Sequence, residues 1–316
     1  MAVQELSPHT TEHARLSKAQ VYKRQAFLST LGALFPTELR QVNNAISRAE
    51  FLMQSDEQYG LVVPINHISL SDPARIISSV LLASDVFMSR HVVIPATKYF
   101  GDQLERIKII SLCENLGIDV PFVMTESSWK VELEKAEMRK RKAESAGQLQ
   151  TFTRRILHLD QDFDEKPVNG GGMAYDYINT AIAALQEGGI VFLSTQGGRR
   201  RRVEVPEKNS KRLFQLCRGA ENSKTGDSKK VNIAVMPVTI YYADSDIDDR
   251  YNFFDRSVIV VGEVEKYDDI RARAIAHGIT VDQDIYESLA FPLDNSLKSL
   301  EYWDATSPHD VYSRRK

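Results

Sequence analysis

The chain reads Tyr59-Gly-Leu-Val-Val-Pro-Ile65 and continues directly as Asn66-His-Ile-Ser-Leu-Ser-Asp-Pro73. The first stretch is short, apolar and rich in β-branched residues, which predicts a buried strand. From Ala74 to Phe87 apolar residues recur at three- and four-residue steps, which predicts a helix. A strand, a loop and a helix in this order form the repeating unit of a parallel sheet, so this stretch decides the fold class.

The same unit recurs along the chain. Further strands are predicted at residues 91–95, 120–124, 190–194, 231–242 and 257–262, and further helices at 99–116 and 175–186. The alternation predicts an α/β fold with a largely parallel, mixed sheet that helices cover on both faces. Ligands of such folds bind at the carboxyl ends of the strands.

The N-terminal residues have helical spacing throughout. In residues 1–55 apolar side chains such as Phe27, Leu31, Val42 and Ile46 recur at helical steps, which predicts two or three helices. We therefore divide the chain into a small N-terminal helical region, 1–55, and an α/β domain, 56–316.

Composition and charge exclude several classes of protein. Of the 316 residues 42% are hydrophobic and 26% are charged, which is typical of a globular chain and not of a disordered one. The formal net charge of −3 gives no overall attraction to nucleic acid or anionic lipid, so any such affinity requires a local patch. Cys113 and Cys217 lack metal-like spacing, which argues against a disulfide scaffold and a zinc site and favours a reducing compartment.

The sequence also predicts a protein kept inside the cell. Its apolar runs fall short of the roughly 18 to 20 residues that a membrane span needs. Residues 1–18 lack the apolar core of a signal peptide. We expect a soluble or membrane-peripheral protein, which would have to reach any lipid substrate from the membrane surface.

The loop after the first strand holds a histidine and a carboxylate. His67 and Asp72 lie between the predicted strand end and helix start, at the ligand-binding edge of the sheet. A histidine held by a carboxylate can take a proton from a hydroxyl nucleophile, because the carboxylate fixes the ring tautomer and stabilises the imidazolium. The structural alternative is that Asp72 and Pro73 only begin the helix, while His67 hydrogen-bonds the loop backbone.

A second segment combines glycines with arginines. After the predicted strand at 190–194 the chain reads Thr195-Gln196-Gly197-Gly198-Arg199-Arg-Arg-Arg202. Glycines let backbone amides approach an anion closely, and guanidinium groups form paired hydrogen bonds with phosphate oxygens. The segment therefore predicts a phosphate site. An exposed basic loop or a nucleic-acid patch is the alternative, which the scarcity of neighbouring aromatic residues weakens.

Together the two segments resemble the sequence blocks of the glycerol-3-phosphate and lysophosphatidate acyltransferase superfamily. His67 and Asp72 match its first block, H-x-x-x-x-D, and residues 185–199 match its third, which follows a helix, a Gly-Gly turn and a strand. Val235-Met-Pro-Val238 matches its final, proline-centred strand, so the resemblance spans residues 60–242. The Gly197-Gly198-Arg199-Arg-Arg201 pattern and the helical N-terminal portion look most like the soluble plastid-type glycerol-3-phosphate acyltransferases.

This resemblance implies transfer of a fatty acyl group from a thioester to the sn-1 hydroxyl of glycerol-3-phosphate, in phospholipid biosynthesis. His67 would act as general base with Asp72 orienting it, and Arg199 and Arg201 would hold the phosphate beside the Gly197–Gly198 backbone. The thioester of acyl carrier protein or coenzyme A would be a co-substrate, with no other cofactor and no metal. Transient contact with a membrane surface is expected, nucleic acid is not, and the location would be the cytoplasm or plastid stroma.

The chain departs from the family pattern at several positions. Many members have Glu where this chain has Gln196, which cannot carry charge but can still hydrogen-bond. Ser194-Thr195 stands where many members have Phe-Pro. The family's second block, a basic residue on an intervening strand, has Lys98 as its candidate, with Arg106 and Lys108 behind it. Gln196, Lys98 and Pro237 are therefore secondary site candidates.

Three other functions stay open. A lysophosphatidate acyltransferase of the same superfamily would use the same blocks on a different acceptor. A thioesterase would keep His67 and Asp72 and use water as acceptor. A non-enzymatic phosphate or nucleic-acid binding protein would use the arginines 199–202 together with the basic stretch 139–155. A covalent serine or cysteine route lacks a candidate, because no G-x-S-x-G motif occurs.

Other conspicuous features have structural interpretations. The charged stretch 127–166 is typical of solvated helix faces, with a lid or carrier-docking surface as the alternative. The Asn169-Gly-Gly-Gly172 run predicts a flexible turn, and residues 222–230 predict an exposed loop. His91 is expected to be packed or capped at the start of its strand.

Overall fold

A computed structural model of the chain describes residues 15–55, 57, 59–65, 72–97, 108–123, 170–194, 216–217, 219–221, 231–242 and 257–276. The helices are α1 (Lys18–Leu34), α2 (Ala45–Gln54), α3 (Asp72–Leu82), α4 (Asp85–Met88), α5 (Ile109–Asn115), α6 (Gly170–Gln186) and α7 (Tyr267–Ala276). The strands are β1 (Thr37–Gln41), β2 (Tyr59–Ile65), β3 (Val92–Val93), β4 (Ala96–Thr97), β5 (Ile118–Asp119), β6 (Phe122–Val123), β7 (Ile190–Ser194), β8 (Asn232–Val235), β9 (Val238–Tyr242), β10 (Ser257–Val261) and β11 (Glu265–Lys266).

One sheet organises the described part of the chain. Its strand order is β1-β10-β9-β2-β7-β3-β5, with β8 beside β2 and β11 beside β8. β2 pairs in parallel with β7, β8 and β9, and the pairs β3–β7, β3–β5 and β1–β10 are parallel as well. Among the strands that the structure describes, only β10–β9 and β11–β8 are antiparallel in this sheet. The predicted mixed, largely parallel sheet is confirmed; β4 and β6 form a separate parallel pair.

Helices cover both faces, as the strand alternation requires. In β7, Ile190 and Phe192 pack in one buried cluster, while Val191 and Leu193 pack in the other. The first cluster includes side chains of α1, α2, α3 and α4. The second includes side chains of α6, α7 and the helical residues 216–217 and 220. Both faces of the central strands are therefore withdrawn from water, which explains why they read as continuous apolar runs.

The N-terminal region contains a strand that was not predicted. Residues 1–55 were expected to be helical, and α1 and α2 confirm helices there, but Thr37–Gln41 forms β1 in parallel register with β10. The five residues Thr-Glu-Leu-Arg-Gln carry no apolar alternation, so the pairing with β10 stabilises this strand. Leu28 and Ala49 share one buried cluster with Leu61 of β2. The boundary between 1–55 and 56–316 stays a prediction.

The glycine run at 169–172 was wrongly predicted to be a turn. Gly170 is the first residue of α6, which continues to Gln186. Tyr177, Ala181 and Leu185 of this helix are buried against the sheet, so tertiary packing outweighs the poor helix propensity of the glycines.

Two other predicted elements are each divided in the structure. The strand predicted at 231–242 is divided into β8 and β9 around Pro237, which has no N–H to donate to a ladder. The helix predicted at 74–87 is α3 followed by α4, whose cap Ser84 accepts a hydrogen bond from the Phe87 N–H at 3.1 Å.

Some predictions lie wholly or partly outside the described residues. These are the charged stretch 127–166, the loop at 222–230 and the first part of the helix predicted at 99–116, of which α5 is the described portion. The strand predicted at 120–124 contains β6, with β5 just before it. None of the described helices is long and apolar enough to cross a membrane.

Candidate functional site

The carboxyl ends of β2 and β7 lie side by side. Ile65, the last residue of β2, is in parallel register with Ser194, the last residue of β7. Ile65 is also in register with Val238, the first residue of β9. In the sequence, the histidine segment follows Ile65 and the glycine–arginine segment follows Ser194. The two predicted site segments therefore leave the sheet from neighbouring strands at one edge.

Asp72 stands at this edge as the first residue of α3. Its side chain is fully buried, with 0% of the residue exposed. A carboxylate in the first turn interacts favourably with the positive end of the helix dipole. The apolar side of α3, with Ile76 and Val80, packs on the same face of the sheet as Ile65. The structure thus places the carboxylate of the H-x-x-x-x-D block in the interior, at the end of β2.

Arg75 anchors the first turn of α3. It is fully buried, and its Nη1 donates hydrogen bonds to Ser257 Oγ at 3.0 Å and to the Pro36 carbonyl at 3.3 Å. Its guanidinium carbon lies 5.2 Å from the centroid of the Phe35 ring. Residues three apart share one face of a helix. The hydrogen bonds that hold Arg75 in place therefore also hold the turn that carries Asp72.

Sequence reasoning missed Arg75. The signal was present, because a cation one turn after Asp72 directly precedes the apolar residues Ile76 and Ile77 of the helix. The acceptors of its hydrogen bonds come from the loop before β1 and the start of β10, which are distant in sequence. Local sequence patterns do not predict hydrogen bonds between residues so distant in sequence.

Pro237 is buried between β8 and β9. Its carbonyl accepts a hydrogen bond from the Gly262 N–H at 2.7 Å, and the next residue, Val238, pairs with Ile65. Pro237 therefore lies close to the end of β2, where it separates two strands of the sheet. This position gives it a structural role at the site's edge.

The remaining site candidates lie outside the described residues. They are His67, Lys98, Gln196, Gly197, Gly198, Arg199 and Arg201. Their roles stay predictions, supported by the strands from which their segments start. Of the two lesser candidates for the second block, Arg106 is also outside, while Lys108 precedes α5 with a left-handed backbone, φ 58°.

Ser194 is a second polar residue that sequence reasoning did not select. Its Oγ is buried, and among the residues that the structure describes it has no hydrogen-bond partner. It follows four apolar residues of β7 and precedes the Gln-Gly-Gly-Arg segment by two positions. The signal available in the sequence was a hydroxyl that directly follows an apolar strand.

Neither cysteine is a reactive nucleophile near neutral pH. Burial and, to a smaller extent, the neighbouring Glu114 raise the pKa of Cys113 to about 11. Cys217 is fully buried in the cluster that contains Val62 and Ala181, and burial raises its thiol pKa still further. The thiolate is the reactive form, so both side chains are inert near neutral pH.

A different histidine–carboxylate pair lies at the opposite edge of the sheet. His91 Nε2 is 3.2 Å from Asp119 Oδ2, and the His91 carbonyl accepts a hydrogen bond from the Ile190 N–H at 2.8 Å. Ile190 begins β7, so this pair stands at the amino ends of the strands. The packed position expected for His91 agrees with this geometry, and the residue offers a control for His67.

No protein-family model matches the sequence, and no curated protein matches it. The chain is similar to the crystal structure of the 1-acyl-sn-glycerophosphate (LPA) acyltransferase PlsC from Thermotoga maritima, with a TM-score of 0.45 and 11% sequence identity. The alignment covers 90% of this chain and 82% of that one.

Proposed function

We propose that this chain is an acyltransferase that moves an acyl group from a thioester to a hydroxyl of a glycerol phosphate. The observation that carries the proposal is the register of Ile65 with Ser194 at the edge where α3 begins with buried Asp72. His67 follows Ile65 by two residues and Gly197 follows Ser194 by three. Such lengths of chain span at most about 7 Å and about 11 Å, so both residues are within reach of a common substrate. The site lies where α/β sheets bind their ligands.

The proposed chemistry needs a base, a positioned hydroxyl and a thioester. His67 accepts the hydroxyl proton as the oxygen attacks the thioester carbonyl carbon, with Asp72 orienting the imidazole and stabilising its charged form. The new C–O bond gives a tetrahedral oxyanion. Its collapse breaks the C–S bond, and the departing sulfur takes the proton from His67. An ester and a free thiol result, and no acyl-enzyme forms.

Arg199 and Arg201 would bind the substrate phosphate through charge-assisted hydrogen bonds. Holding the phosphate fixes the distance between the hydroxyl and the thioester, which converts a two-body encounter into a near-attack geometry. Backbone amides of Gly197 and Gly198 are suited to the phosphate or to the developing oxyanion, because glycine permits close approach of the backbone.

Glycerol-3-phosphate is the proposed acceptor, because the Gly197-Gly198-Arg199-Arg-Arg201 pattern looks like that branch of the superfamily. The sn-1 hydroxyl would then be acylated. Lysophosphatidate is the second candidate, since it presents the same phosphate with one free hydroxyl beside an existing acyl chain. Because lysophosphatidate carries an acyl chain and glycerol-3-phosphate does not, a site for lysophosphatidate must cover more apolar surface.

The test measures thiol release from acyl-coenzyme A and from acyl-acyl carrier protein, with glycerol-3-phosphate, with lysophosphatidate and without acceptor. The proposal predicts release that depends on the acceptor, with formation of the corresponding ester. A preference for lysophosphatidate would support acyl transfer and would identify lysophosphatidate as the acceptor. Release that ignores both acceptors would identify a hydrolase, and the absence of release with either donor would refute acyl transfer.

A further inference from the structure

Ser194 presents a buried hydroxyl at the proposed site. It is the last residue of β7, directly beside Ile65, and its Oγ is inaccessible to solvent. The part of the chain that the structure describes supplies no hydrogen-bond partner for this oxygen. Native proteins pair nearly all buried polar atoms, so a hydroxyl of this kind calls for a partner from elsewhere.

The alternation of β7 shows on which face this hydroxyl lies. Ile190 and Phe192 belong to the cluster formed with α1, α2 and α3, whereas Val191 and Leu193 belong to the opposite cluster. Side chains of a strand alternate between the two faces, so Ser194 belongs to the face of Ile190 and Phe192. Asp72 begins α3 on that same face.

Packing alone gives no reason for a serine here. The other residues of β7 are apolar and buried, and a small apolar side chain would fill the same position without a desolvated hydroxyl. The two predicted site segments follow the neighbouring residues Ile65 and Ser194 at the same spacing. His67 comes two residues after Ile65, and Gln196 comes two residues after Ser194. Arg199 follows Ser194 by five residues. The phosphate end of a substrate is therefore expected to lie farther from Ser194 than its hydroxyl end.

We propose that Ser194 Oγ hydrogen-bonds the hydroxyl-bearing end of a phosphorylated polyol and so determines which acceptor the enzyme uses. The inference rests on the proposed acyl transfer and adds a binding residue to it. Ser194 lies on the Asp72 side of the sheet, next to the strand that leads to His67, and there it meets the alcohol end and not the phosphate.

The experiment compares Ser194→Ala with the native chain, using glycerol-3-phosphate as acceptor and inorganic phosphate as competitive inhibitor. Loss of one neutral hydrogen bond to substrate predicts a KM for glycerol-3-phosphate about fivefold higher. The inhibition constant of inorganic phosphate should stay unchanged, because phosphate lacks the alcohol. The melting temperature should not fall, because no protein partner is lost.

Ser89→Ala is the matched control. The Ser89 hydroxyl donates to the Val86 carbonyl at 2.8 Å, after α4 and away from the site, so its loss should lower stability slightly and leave KM unchanged. An unchanged KM in Ser194→Ala, equal weakening of phosphate inhibition, or a KM rise that merely follows a lower melting temperature would overturn the inference. A native chain without acceptor-dependent activity would instead refute the acyltransferase proposal itself.

Discussion

Arg24 is a cation held in the interior by carbonyl oxygens. It is fully buried in α1, and its guanidinium donates hydrogen bonds to the carbonyls of Leu116, Met88, Arg90 and Gly117, at 2.7, 3.2, 2.7 and 2.6 Å. Burial lowers the pKa of Arg24 to about 10, so the charge persists at neutral pH. Through these hydrogen bonds, this one side chain connects α1 to the two segments that precede β3 and β5.

Replacing Arg24 by Met should lower the free energy of unfolding by about 3 kcal/mol or more, because four carbonyl groups lose a charged donor. Urea denaturation measures the loss. Arg48→Met is the control: its Nη1 lies 3.6 Å from Glu263 Oε1 with half of the side chain exposed, and the expected change is below about 0.5 kcal/mol. Equal losses in the two variants would contradict the role given to Arg24.

The two thiols should resist alkylation in the native protein. At pH 8 a thiol with a pKa of about 11 has roughly a hundredth of the thiolate of one with the ordinary value of 9.0, so Cys113 should react about a hundredfold more slowly than a free thiol. Its rate should rise as the pH approaches 11. Cys217 should react only after unfolding, which labelling with and without urea followed by mass spectrometry would show. Rapid native labelling of Cys217 would contradict its burial.

At the scale of elements, α6 packs on β2 through a glycine. A Cβ built on Gly60 would stand 2.5 Å from the Leu185 carbonyl oxygen and 3.0 Å from its Cα. Those atoms belong to the backbone of α6 and cannot move as a flexible side chain would. The absence of a side chain at Gly60 therefore sets the distance between this helix and the strand that leads to the site.

Gly60→Ala should destabilise the protein by about 2 kcal/mol or more, because α6 must shift away from the sheet. Gly32→Ala, in α1, is the matched control. A Cβ there would meet only Leu82 Cδ1 at 3.9 Å, so the higher helix propensity of alanine should stabilise the protein by up to about 1 kcal/mol. Thermal unfolding of both variants compares them directly; two changes of the same sign would contradict this packing.

The elements that sequence predicted best are those with an apolar period of their own. β2 and β7 occupy the predicted residues 59–65 and 190–194, because buried parallel strands require continuous apolar runs. β1 was missed because its stability comes from pairing with β10, more than two hundred residues later. The start of α6 was missed because three glycines oppose a helix locally while the packing of its later turns favours it.

The same distinction applies to the candidate site. Asp72 could be selected because its spacing from His67 is local and chemically specific, and the structure places it in the interior at the end of β2. Arg75 and Ser194 could not, because their significance depends on contacts or burial created by distant strands. Sequence patterns indicated each segment, and parallel pairing brings the starts of the two segments together.

For the whole molecule, we propose that the segments following β2 and β7 form one active site in which His67 is the base. The register of Ile65 with Ser194 joins strands that are far apart in the chain. Loss of a general base reduces the rate by about 10²- to 10⁴-fold. Replacement of a histidine elsewhere in the chain should leave the rate nearly unchanged.

A direct test of this role of His67 compares kcat/KM for acceptor-dependent thiol release by the native chain, His67→Ala and His91→Ala. His91 is the matched control, because it also lies beside a carboxylate, Asp119 at 3.2 Å, but at the opposite edge of the sheet. We predict that His67→Ala loses at least about a hundredfold in kcat/KM with an unchanged melting temperature, and that His91→Ala stays within about twofold. Full activity in a folded His67→Ala protein would show that His67 is not the base.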